Sequence, residues 1–212
     1  MSKLHVAYDD VYLDWQLGNG DGSHPTNPVR AKLAVELLES LDPVMVKPSA
    51  SESDRDLLSH VHSDEYISKV LDRGHCGEWY PDQTHLGNVA LEMAAGTIRM
   101  YEKILSGEAQ VAFNPQGAKH HAQYDYSSGF CIFADFALAA DIATKDHGLK
   151  VAILDIDVRT AQIVLHASRI CHANHHLLNG QSCAIHINKP IHGLANFRIR
   201  IIKFDISDGC CG

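Results

Sequence analysis

Hydrophobic and polar positions change their spacing several times along the chain, and each change predicts an element. Residues 3–8 alternate, with Leu4, Val6 and Tyr8 on one face, which is the two-residue period of a strand. Residues 28–41 (PVRAKLAVELLESL) follow the helical period instead. Pro28 suits a first turn, and Val29, Leu33, Leu37 and Leu38 make one apolar stripe. Residues 44–46 form a short strand. Ser53 is placed to cap a short helix holding Leu57 and Leu58, and Ser63 begins another in which Tyr66, Ile67 and Val70 share a face. Residues 74–87 have no period and are rich in Gly, Pro, His and Asp, which predicts a loop of functional length. A long helix over 88–105, a strand over 110–113, a helix over 133–145 and an apolar strand over 151–158 complete the regular part. Strands alternating with helices of this size predict an α/β fold, a parallel sheet with helices on both faces. Ligands in such sheets bind at the carboxyl ends of strands.

After Val158 the period weakens and the composition changes with it. Up to that residue the chain carries 12 Lys and Arg against 24 Asp and Glu; beyond it, 6 against 2, with no Glu, Tyr, Trp or Met. So sharp a shift marks a boundary. The expected organisation is therefore residues 1–158 as the amino-terminal part of one α/β domain, and 159–212 as a divergent tail of frameshifted or read-through character. On this reading the sheet is incomplete on its carboxyl-terminal side.

The whole chain of 212 residues is long enough for one sizeable core or for part of a larger domain. A net charge of −8 argues against direct nucleic-acid binding and against anionic membranes. Six irregularly spaced cysteines read as reduced thiols. No run approaches a membrane span, and the opening MSKLHVAYDD lacks the apolar core of a secretory signal, so a cytoplasmic protein is expected.

Candidate chemistry is concentrated between Asn114 and Val158. His120 and His121 stand together on a loop flanked by glycines. Imidazole titrates near neutral pH, so a tandem pair can supply a general base beside a general acid. Asp155 and Asp157 alternate at the carboxyl end of the apolar strand, where one carboxylate can bind a metal and the other brace its surroundings. Together they suggest metal-assisted hydrolysis.

These residues resemble the zinc-dependent deacetylases: histone deacetylases, bacterial acetoin-utilisation proteins and acetylpolyamine amidohydrolases. HPTNPVRAKLAVELL resembles that family's opening helix, LLSHVHSDEYI its next helical hairpin, and GAKHHA, SGFCIFAD and AILDIDV its central signature in order and spacing. The resemblance implies an arginase-like parallel sheet with flanking helices. It makes His121 the general base and then acid, and His120 its electrostatic support. Asp157 becomes a zinc ligand, while Asp155 braces His120 and helps form a potassium site near the two aspartates. Gly129 and Phe130 would wall a narrow acyl-lysine channel, Arg30 would lie at its foot, and Asp82 would grip the substrate backbone. The implied substrates are acetylated lysines or acetylated small amines.

The resemblance also predicts a defect. The family continues its strand into a second zinc ligand, a histidine, but Arg159 stands there, and a guanidinium offers no lone pair to a metal. Gln162 replaces the carboxylate expected to brace His121, and no tyrosine follows Tyr126 to meet an oxyanion. A catalytic zinc normally has three protein ligands. The expectation is a deacetylase family member that is inactive as it stands and does not retain zinc. The alternative is a catalytically dead acyl-lysine-binding or scaffold homologue.

Overall fold

A computed structural model describes residues 3–17, 24–79, 81–151 and 153. Its centre is a parallel three-stranded sheet in the order β2-β1-β3, built from β1 (Leu4–Ala7), β2 (Val44–Val46) and β3 (Val111–Phe113). In register, His5 lies opposite Val44 on one side and Ala112 on the other. Parallel strands need crossovers, and the helices supply them. These are α1 (Val29–Leu38), α2 (Glu52–Leu57), α3 (Asp64–Leu71), α4 (Thr84–Leu105) and α5 (Asp135–Lys145). The predicted α/β class and flanking helices are thus present. The predicted strand over 151–158 falls largely outside the described residues.

Helix α4 organises the core. It touches all three strands and also α2, α3 and α5. Its middle turns carry small residues, Ala94, Ala95, Gly96 and Thr97, all buried. A side chain at Gly96 would overlap the Tyr12 hydroxyl, so glycine there is what lets that buried ring reach the helix. Tyr66, Ile67 and Val70 of α3 are buried together, as their spacing predicts. Tyr66 also donates its hydroxyl to the Ile132 carbonyl at 2.9 Å.

Three predicted details are corrected. The apolar stripe of α1 faces outward: Val29 is 47%, Leu33 52% and Leu37 80% exposed, while Ala31 and Val35 are the buried residues. The small side chains, not the leucines, take the inner face. Helix α2 is capped by Ser51 rather than Ser53. Ser51 and Asp54 exchange hydrogen bonds in a capping box, with the Ser51 N–H donating to Asp54 Oδ2 at 2.8 Å. Helix α4 begins at Thr84, four residues before the predicted start, so the loop ends at Gln83. The added turn buries Leu86 and Gly87 against α3, where a Cβ at position 87 would come within 2.7 Å of the Val70 carbonyl oxygen. Close helix approach, invisible to periodicity, fixes that turn.

Candidate functional site

Strand β3 runs directly into the tandem-histidine loop, so the pair does sit beyond a strand's carboxyl end. Asn114 opens the loop. Its Oδ1 accepts the Gln116 N–H at 3.0 Å, and its Nδ2 donates to the Met93 carbonyl at 2.8 Å and to Thr97 Oγ1 at 2.9 Å. Thr97 in turn donates to Asp135 Oδ2 at 2.5 Å. Asp135 is 1% exposed and accepts two backbone bonds from the loop, from Ala118 N–H at 3.0 Å and from Lys119 N–H at 2.7 Å. Ala118 takes a φ of +67°, a left-handed conformation uncommon outside glycine.

Beyond that bend His120 and His121 lie side by side, their ring centroids 4.0 Å apart with 62° between the planes. Both are half-buried. The wall beside them is a tight two-residue turn. The Ser128 N–H donates to the Cys131 carbonyl at 3.3 Å and the Cys131 N–H to the Ser128 carbonyl at 3.0 Å, leaving Gly129 at φ +55° and Phe130 at +62°. Positive φ at both central positions is the I′ requirement, which glycine meets freely and phenylalanine only at a cost of about 1–2 kcal/mol. Gly129 lies against the His121 ring: a Cβ there would be 2.5 Å from Cδ2. Beneath the turn, burial pushes the Cys131 thiol pKa up, against the opposing pull of Lys119 and the His121 backbone.

Four predicted residues thus come together: His120, His121, Gly129 and Phe130. Arg30 lies on the first turn of α1 and donates from Nη1 to the Pro25 carbonyl at 2.6 Å. The residue of this segment that meets the wall is His24, whose ring lies edge-on to Phe130 at 4.5 Å. Asp82 is exposed at φ +67°, just before α4. The carboxylate that reaches the wall is Glu78 from the same loop, accepting the Phe130 N–H at 3.1 Å. Asp155 and Asp157 lie outside the described residues. So does any strand-end metal or potassium site they would form.

Sequence reasoning missed Asp135, Thr97, Glu78 and His24. Two of them had a signal: His24 opens the His-Pro segment before α1, and Asp135 closes SGFCIFAD. Among the described residues no three His, Cys, Asp or Glu side chains converge as a metal site, and no helix is long and apolar enough to cross a membrane.

The model for the histone deacetylase domain matches residues 24–182. The chain is 27% identical over 174 residues to the acetoin utilization protein AcuC of Staphylococcus aureus, covering 74% of this chain and 43% of that protein. The Bacillus subtilis AcuC is 30% identical over 151 residues, covering 63% of this chain and 38% of the relative. Human polyamine deacetylase HDAC10 is 28% identical over 182 residues, covering 76% and 26%. This chain therefore spans less than half the length of the relatives it matches.

Proposed function

This chain belongs to the histone deacetylase family, and from that premise we propose that residues 1–158 carry the proton-transfer half of an amide-hydrolase site for acetylated lysines or acetylated small amines. The observation that carries the reading is the edge-on His120–His121 pair against the Gly129–Phe130 turn. An extended acyl-amine chain lying along Phe130 would bring its carbonyl to the imidazoles. His121 would take a proton from the attacking water and return it to the departing amine, while His120 holds it in place. Glu78 and Asp82 supply carboxylates at the rim for the substrate's backbone or a cationic amine. Arg30 would close the foot of the channel.

The family is generally zinc-dependent, and the donor set of this chain does not fit that ion. Of the expected ligands only Asp157 is present in sequence, and Arg159 and Gln162 replace the histidine and the bracing carboxylate. We therefore read residues 159–212 as failing to complete the site, although the family match runs on to residue 182, and the chain as inactive in its present form. An acyl-lysine-binding or scaffold role for the surviving wall is the alternative.

An acetyl-lysine reporter separates these readings. This chain should give background turnover. Replacing residues 159–212 by the whole remainder of the Bacillus subtilis relative beyond its match should restore it. Activity should then fall about 10²–10⁴-fold in His121→Ala. A restored enzyme indifferent to His121 would sink the assignment. Tight acetyl-lysine binding by the unaltered chain would favour the alternative, and turnover by it would refute the claim of inactivity.

A further inference from the structure

Asp135 is the first residue of α5, where a carboxylate ordinarily serves its own helix. Here it does not. The N-cap is Ala134, with no side-chain cap, and the Asp135 carboxylate turns away to the tandem-histidine loop. Oδ1 takes the Lys119 N–H, and Oδ2 takes the Ala118 N–H together with the Thr97 hydroxyl. These amides precede His120 by only one and two residues. The grip is close: a Cβ on Gly117 would lie 2.9 Å from Asp135 Oδ2 and 3.0 Å from Thr97 Oγ1. From behind, Asn114 ties the start of the loop to Met93 and Thr97 of α4.

We propose that Asp135 is the positioning residue of the site, holding Ala118 in its left-handed bend and so fixing where the two imidazoles stand. The inference rests on the reading of His120 and His121 as the proton-transferring pair. The carboxylate acts through two backbone N–H groups. A charged acceptor suits this task, because both oxygens must accept at once. The amide of asparagine would turn an NH₂ against one of the donors.

The test uses the full chain and nuclear magnetic resonance. In Asp135→Asn, amide exchange at Ala118 and Lys119 should quicken by about tenfold or more. The ring nitrogen shifts of His120 and His121 should move as well. Asp141→Asn is the control. It alters the other buried carboxylate of α5, which pairs with His60 and Lys145, and it should leave the histidine signals in place. Should both variants lose stability alike with neither moving those signals, Asp135 is merely structural and the proposal fails. Thr97→Val covers the case in which Asp135→Asn does not fold. It keeps the carboxylate but removes its backing, and should move the same signals by a smaller amount. In the unaltered chain the Ala118 and Lys119 amides should be protected, and exchange there at open-loop rates would overturn the inference. None of these readouts involves turnover, so a failed reporter assay and a failed positioning assay are distinguishable.

Discussion

Replacing Gly129 by alanine tests the wall of the site most directly. Two costs are separable. The first is conformational: an L-residue at φ +55° pays about 1–2 kcal/mol. Gly107 and Gly148 measure that cost alone, since they have φ of +76° and +62° and nothing within 4 Å of an added Cβ. The second is steric. The new methyl group at 129 would stand 2.5, 3.0 and 3.2 Å from Cδ2, Cγ and Cβ of His121, where carbon atoms at rest keep about 3.5–4.0 Å. Overpacking of this kind typically costs about 1–3 kcal/mol. Gly129→Ala should therefore destabilise by about 2–5 kcal/mol in urea, with an unchanged denaturant slope, against about 1–2 kcal/mol at each control glycine. In a His121→Ala background the contacts to Cδ2 and Cγ disappear and only the 3.2 Å contact to Cβ stays, so most of the steric part should be lost, giving a coupling of about 1–3 kcal/mol in the double-mutant cycle. Coupling below about 0.5 kcal/mol would mean that Gly129 does not bear on His121, and the wall as described would be wrong.

Two further substitutions probe the scaffold. Asp72 accepts Arg55 Nη1 and Nη2 at 2.6 and 2.7 Å, and that guanidinium, with Ser68, holds its carboxyl down at about 2. Because the folded value lies below the ordinary 3.8, the pair stabilises above about pH 4, and its contribution disappears as pH falls toward 2. Being exposed, the pair contributes no more than about 1 kcal/mol; urea midpoints of Asp72→Asn should trail the parent above pH ~4 and meet it near pH ~2, and a constant gap would contradict the assignment. Arg99 donates from Nη2 to both oxygens of Asp54, which is 1% exposed, so Arg99→Met strands a buried carboxylate and should cost about 3–5 kcal/mol in the same assay. A loss under 1 kcal/mol, by the standard of a surface pair, would show that Asp54 is not held by that arginine.

What was legible in the sequence followed from local period and local chemistry. Alternation located β1, and the Tyr66–Ile67–Val70 face located α3, because each pattern has one way to bury itself. The cap of α2 was degenerate: Ser51 and Ser53 each have an aspartate three residues on. What separates them is Arg99, distant in sequence, which draws Asp54 inward and leaves Asp56 outside. The α1 stripe misled for a related reason. Period shows that one face is apolar, whereas burial here falls on Ala31 and Val35. In the site, His120, His121, Gly129 and Phe130 were readable because unusual residues stood in a recognisable order. Asp135 closes SGFCIFAD, but its role was not readable, since a carboxylate at a helix start looks like an ordinary helix terminus until its partners are seen. Glu78 sat in a loop without period, where nothing distinguishes it from its neighbours.

The order of strands in the sheet bears on how the chain comes off the ribosome. Strand β1 is central, yet its two partners are unequally distant: His5 faces Val44 on one side and Ala112 on the other. The first pairing can form once β2 has emerged. The second must wait for β3, and synthesis proceeds at about 5–20 residues per second, so one edge of β1 stays open for roughly 5–20 s. Meanwhile α4, which covers all three strands, is itself still being made. The nascent chain thus carries an uncovered parallel pair while residues 47–113 are made, the form in which strand edges recruit neighbours. Pausing or crowding of ribosomes before residue 113 should therefore lower the yield of folded protein more than the same delay after α5.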